Sequence, residues 1–149
     1  VDVVLAAFIG VMGGVLGSVL GPLIQWHTTR KDQLRTTAAR FAHRLSAHRG
    51  NLYDRWDLAR QANPDPVKML AANDLSDASR SEVTLALYEL RVLTRNAELL
   101  RLADAAVAAA YAVKLRGEDL ATVSPAEMDA RRKRGITADH AFLTAAAAL

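Results

Sequence analysis

Four histidines are the side chains here best suited to hold a metal or move a proton near neutral pH: His27, His43, His48 and His140. A pair of ligands on one helix must share a face. His43 and His48 stand five apart, about 140° around a helix, and no carboxylate has the spacing of a metal site in a helix bundle. His48 instead falls on an apolar seam, the place of a core histidine. Asp54 and Asp57 share a face and have the chemistry of paired carboxylates, but read better as solvated surface. Asp139 beside His140 reads as a chance dipeptide rather than a base with its orienting carboxylate. The RRKR run at 131–134 reads as a solvated helix face. The chain has no cysteine, which excludes disulfides, thiol catalysis and cysteine-held zinc or iron–sulfur groups. GVMGGVLG, 10–17, is glycine-rich but lacks the Lys and Ser or Thr of a phosphate-binding loop, and there is no G-x-S-x-G elbow. The expectation is a protein that is not an enzyme, with no catalytic residue, no metal and no cofactor.

The elements that position these side chains follow from composition. Ala, Leu and Arg dominate and aromatics make up only 5% of the chain, a composition of helix formers. From 3 to 26 there is no charged residue. At about 1.5 Å per residue this run reaches roughly 36 Å, enough to cross a hydrocarbon layer of about 30 Å. Trp26 suits its headgroup end. Residues 27–62 carry eight basic side chains against three acidic ones, and Arg30, Lys31 and Arg35 form the juxtamembrane basic group. The positive-inside rule then places the N-terminus outside and the C-terminal domain in the cytoplasm. A cleaved signal peptide would carry its basic residues before the apolar run, not after it. Gly13, Gly17 and Gly21 stand four apart, a row that lets another helix backbone approach closely. Gly10, Gly14 and Ser18 form a second row beside it.

Helical periodicity continues through Leu34, Ala38, Phe41, Leu45, His48, Leu52, Trp56 and Ala59. Lys31, Arg35 and Arg49 flank this seam on one side, Arg40, Arg44 and Arg55 on the other. Gly50 is its weak point, and NPDP at 63–66 ends it. A short helix is expected over 67–72. The next is capped by Asp74 or Ser76 and buries Val83, Ala86, Leu87, Leu90 and Leu93. Asn96 caps a third, through Leu100, Ala103, Val107, Ala110 and Tyr111. After a loop at 116–123, Ser124-Pro125-Ala126-Glu127 forms a capping box. The last helix places Met128, Phe142 and Ala146 in the core, with Gly135 weakening its middle. The fold class is all-α: a single transmembrane helix continuing into a long helix, then an antiparallel helical bundle with a coiled-coil character. Its domains are 1–27, the anchor, and 28–149, the cytoplasmic helical domain.

The opening apolar block with TTRKDQLR, the LALYELRVLTRNAELLRLADAA block and the terminal HAFLTAAAAL together resemble small membrane-anchored helical proteins of high-GC bacteria. That resemblance implies a topology and no activity, so it assigns no site residue. The function expected is a membrane-tethered, non-enzymatic interaction or scaffold module. Its expected partners are membrane lipid and either a second copy or another membrane protein. The alternatives are a glycine-packed membrane oligomer that forms a pore or modulates the bilayer, and nucleic-acid binding through the basic helix. Nucleic acid is disfavoured, because only Gln33 and Asn51 stand among the basic residues to read bases. No small-molecule partner is specified.

Overall fold

Where a helix can begin is set by side chains able to accept from its free N–H groups. Asp65 accepts from the Val67 N–H at 2.9 Å, Asn96 from the Leu99 N–H at 3.0 Å, and Ser124 from the Glu127 N–H at 3.2 Å. The computed structural model describes residues 29–149. Its helices are α1, Asp2–Ala59; α2, Pro66–Leu93; α3, Ala97–Tyr111; and α4, Pro125–Ala147, with a 3₁₀ turn at Leu120–Thr122. There is no strand among the described residues. The chain divides into two compact units, Val1–Gln33 and Leu34–Leu149.

Side-chain pairs give the direction of each helix in the second unit. Along α1, Arg40 meets Glu89, Arg44 meets Glu82 and Asn51 meets the Leu75 carbonyl, so α2 runs antiparallel to α1. Phe41 meets Phe142 and Arg49 meets Asp139, so α4 also runs antiparallel to α1. Arg91 bonds Asp104 and Arg80 lies over Tyr111, which makes α3 antiparallel to α2. The result is a helical bundle with alternating directions.

Its core is continuous with the α1 seam. Ala38, Phe41 and Leu45 pack against Val83, Ala86, Leu87 and Leu90 of α2, Leu99, Ala103, Ala106 and Ala110 of α3, and Phe142 and Ala146 of α4. Phe41 and Phe142 meet edge to face, with centroids 5.1 Å apart at 73°. A second cluster joins Leu52 and Trp56 to Val113, Leu120, Val123 and Met128. The Trp56 indole N–H donates to the Val123 carbonyl at 3.0 Å, fixing the segment between α3 and α4 to α1.

Two expectations about these helices need correction. Residues 67–72 are not a separate short helix, and neither Asp74 nor Ser76 is a cap. One helix starts at Pro66, because Pro needs no N–H partner in the first turn and Asp65 supplies the cap. Ser76 is buried against α1 instead.

The reading of a single-pass membrane protein, N-terminus outside and C-terminal domain cytoplasmic, is also corrected. Among the described residues no helix is long and apolar enough to cross a membrane. Their longest charge-free stretches, 105–113 and 140–149, reach only about half the roughly 20 residues that a span requires. The run at 3–26 that suggested an anchor lies outside the described residues, as do Gly13, Gly17 and Gly21.

Gly50 sits within α1, where an added Cβ would meet nothing within 4 Å. Ala loses less backbone freedom on folding and forms helix better. Gly50→Ala is therefore expected to stabilise the protein by about 0.5–1 kcal/mol, measured as a rise in the denaturation midpoint at unchanged slope.

Candidate functional site

Three features of the bundle depart from a plain apolar core. The first is an ion pair inside it. Arg49 of α1 and Asp139 of α4 are 2.6 Å apart, with side chains 7% and 10% exposed. The guanidinium reaches Asp139 across Gly135, where an added Cβ would lie 2.6 Å from Arg49 Cδ. The glycine in mid-helix is thus a channel for the Arg49 stem rather than a flaw in α4. Arg49 Nη1 and Asp139 Oδ1 have no hydrogen-bond partner among the described residues. Burial pushes the Asp139 carboxyl above its ordinary range, against the pull of the Arg49 hydrogen bond. Arg49 is therefore not the solvated flank of the seam that its spacing implied, nor is Asp139 an idle neighbour of His140. Each lies one helical step from the apolar stripe, close enough to be drawn inside by the other.

The second feature is a cluster around Arg131. This side chain is buried, binds Glu118 through both terminal nitrogens at 2.7 and 2.9 Å, and bonds Glu127 and the Val113 carbonyl. The hydrogen bond to Arg131 holds the Glu118 and Glu127 carboxyls below their ordinary range, and both carboxylates raise Arg131. The RRKR run is accordingly not a uniform solvated face: Arg132, Lys133 and Arg134 are exposed, while Arg131 ties α4 to the segment before it.

The third feature is His48. It is buried on the seam, with Nδ1 2.9 Å from Ser79 Oγ, and its ring meets Tyr111 edge-on. Ser79 Oγ donates its one proton to the Ser76 carbonyl at 2.9 Å. The bond to His48 must then be donated by Nδ1–H. That is the reverse of a nucleophile and its base, in which the hydroxyl proton points at the imidazole. Burial, with Arg80 adding to it, lowers the His48 pKa below the ordinary 6.5. The histidine is a core side chain, as its place on the seam suggested.

His43 and His140 are exposed, as are Asp54 and Asp57, and His27 lies outside the described residues. Arg30, Lys31 and Arg35 are exposed along α1.

The outer face of α2 carries a different kind of signal. Leu85, Tyr88 and Val92 are 63%, 56% and 85% exposed and stand three and four residues apart, on one face. Val67 and Leu70 extend that face toward the start of the helix, and both are exposed. Helix α2 is therefore apolar on two sides. Only the inner side, Val83 to Leu90, was apparent from its periodicity, although the leftover Leu85–Tyr88–Val92 spacing stands in the same sequence.

The family model described as KilB plasmid transfer protein matches residues 35–149, all of the bundle from the first turns of α1's seam onward. No curated protein and no solved structure matches. Nothing in these comparisons supports the resemblance to membrane-anchored helical proteins.

Two outcomes are expected from the buried polar groups. Asp139→Asn leaves Arg49 charged, buried and unpaired, and should cost about 3–5 kcal/mol in denaturant unfolding, while the joint replacement Arg49→Met with Asp139→Leu should cost far less. Equal losses in the two variants would remove the pair from this role. For His48, the folded pKa is below the unfolded one, so the unfolded chain binds more protons across the interval beneath 6.5. Its contribution is present above that value and is lost as pH falls through the interval. Melting temperatures taken across this range should fall with acidification, and His48→Gln should flatten the slope.

Proposed function

We propose, from the premise that the chain belongs to the KilB plasmid transfer protein family, that it serves plasmid transfer as a non-enzymatic helical interaction module which docks through the outer face of α2. The observation that carries this reading is the exposed Leu85–Tyr88–Val92 row. A row of large apolar side chains exposed on one helix face marks an interaction site. Its occupant in this reading is a second copy of the chain.

Charge placement supports that occupant. A two-fold pairing of antiparallel α2 helices centred beside Leu85 sets Ser81 opposite the second copy's Tyr88 position and Asp74 beside the C-terminal end of its α2, which Arg95 follows two residues later. Asp74 and Arg95 are both exposed. Neither joins an ion pair among the described residues. A symmetric interface makes such a contact twice, and each exposed pair contributes roughly 0.2–1 kcal/mol.

Light scattering of the full chain across a concentration series tests the pairing. Asp74→Arg and Arg95→Asp should each weaken the dimer about ten-fold, and the double exchange should recover it. Leu85→Lys with Val92→Lys should abolish it and lower plasmid transfer between mating cells, with the helical circular-dichroism signal unchanged. Transfer at the original frequency in that variant overturns the docking role. An association that ignores all four substitutions overturns the second copy as occupant.

A further inference from the structure

One cleft remains outside the ion pairs and the docking face. It lies between α1, α2 and the segment after α3, about 740 Å³ in volume, within the range of small-molecule sites. Four cationic side chains line it, Arg55, Arg80, Lys114 and Arg116, against a single carboxylate, Asp77. Elsewhere on the bundle, Arg40, Arg44, Arg49, Arg91, Arg101, Arg131, Lys133 and Arg134 have carboxylate partners, whereas Arg35, Arg60, Lys68, Arg95 and Arg132, without one among the described residues, are exposed. None of the four cleft cations has one among the described residues. Arg55 Nε is buried without a hydrogen-bond partner there. A desolvated guanidinium N–H with no acceptor is costly and awaits one.

The local fold commits the nearby acids of this segment to other hydrogen bonds. Gly117 takes φ 77°, a conformation that favours glycine, and turns the chain just after Lys114 and Arg116. The next residue, Glu118, is directed to Arg131 and also accepts from the Leu115 N–H. Asp119 turns to the Ala121 N–H. Both carboxylates of this segment are thereby engaged, and the positive charge of the cleft is left standing. Arg80 is laid over the Tyr111 ring at 5.0 Å, which restricts its head group. Leu52, Ala108 and Ala112 supply an apolar lining.

We propose that this cleft binds a small ligand bearing a chain of phosphates, of nucleotide size, with Arg55, Arg80, Lys114 and Arg116 on the phosphates and the apolar lining against the remainder. Guanidinium groups suit phosphate because their N–H forks match its oxygens. The volume of the cleft suits a nucleotide. A duplex would instead require an extended basic surface along its backbone.

Equilibrium binding of ATP, inorganic tripolyphosphate and a short DNA duplex to the full chain tests the assignment. ATP and tripolyphosphate should both bind and raise the melting temperature. Arg55→Gln with Arg116→Gln should weaken both at least ten-fold. Lys68→Gln with Lys133→Gln removes the same charge from exposed positions outside the cleft and should leave binding within about two-fold. Equal weakening in the two double variants would reduce the effect to net charge and overturn the site. Absence of ATP and tripolyphosphate binding, or binding of duplex alone, overturns it as well. The dimer measured through Asp74 and Arg95 does not involve this cleft, so either proposal can fail without the other.

Discussion

Helix α1 has to bury one seam against three partners, and a guanidinium lies beside that seam. The apolar positions Ala38, Phe41, Leu45, Leu52 and Trp56 supply the driving force, at about 25 cal/mol per Å² removed from water. Arg49 constrains how they can be used. Its charge is tolerated inside only where a carboxylate faces it, and that requires α4 to present Asp139 at this level of α1. One turn earlier α4 must have no side chain, so that the stem can pass, and Gly135 meets that condition. With α4 so fixed, Phe142 arrives at Phe41 and Met128 reaches the lower cluster. A slide of α4 by one turn would keep much apolar contact but strand both charges. Apolar burial thus drives assembly, and the ion pair selects the register.

The long periodic elements were legible in the sequence. The α1 seam, the Asn96 cap of α3, and the Ser124 cap followed by Pro125 all appear where spacing and cap chemistry put them. Each of these signals is local. The continuous α2 was misread because Asp74 and Ser76 are good caps in isolation, whereas the true cap at Asp65 stands behind a proline that resembles a stop. In α3 the expected face was displaced by about one residue, since Leu99 and Ala106 are buried more deeply than Leu100 and Val107. An Ala-rich helix has so little side-chain contrast that its buried edge is set by neighbours.

The site residues were harder to find, and for one physical reason. Arg49, Asp139 and Arg131 owe their burial to partners far along the chain, and a charged residue near an apolar stripe looks the same whether it is solvated or paired. Periodicity reports a residue's angle on its own helix and is silent about what faces it. The four cations of the cleft come from three separate segments, so no stretch of sequence shows them as a group. The outer α2 row was the exception, being entirely local.

The segment from Val113 to Val123 is held by two polar side chains, Trp56 and Arg131, and each grips a main-chain carbonyl there. A carbonyl is the same in every amino acid. Substitutions at 113 and 123 that preserve apolar bulk therefore leave both carbonyl attachments intact, whereas Glu118, whose carboxylate Arg131 also binds, is a polar requirement within the connection. Relatives that keep Gly117 and Glu118 can diverge along the rest of this connection without losing its placement, and the cleft wall it forms is free to acquire different side chains there on an unchanged frame. Specificity at that wall can drift faster than the bundle that carries it.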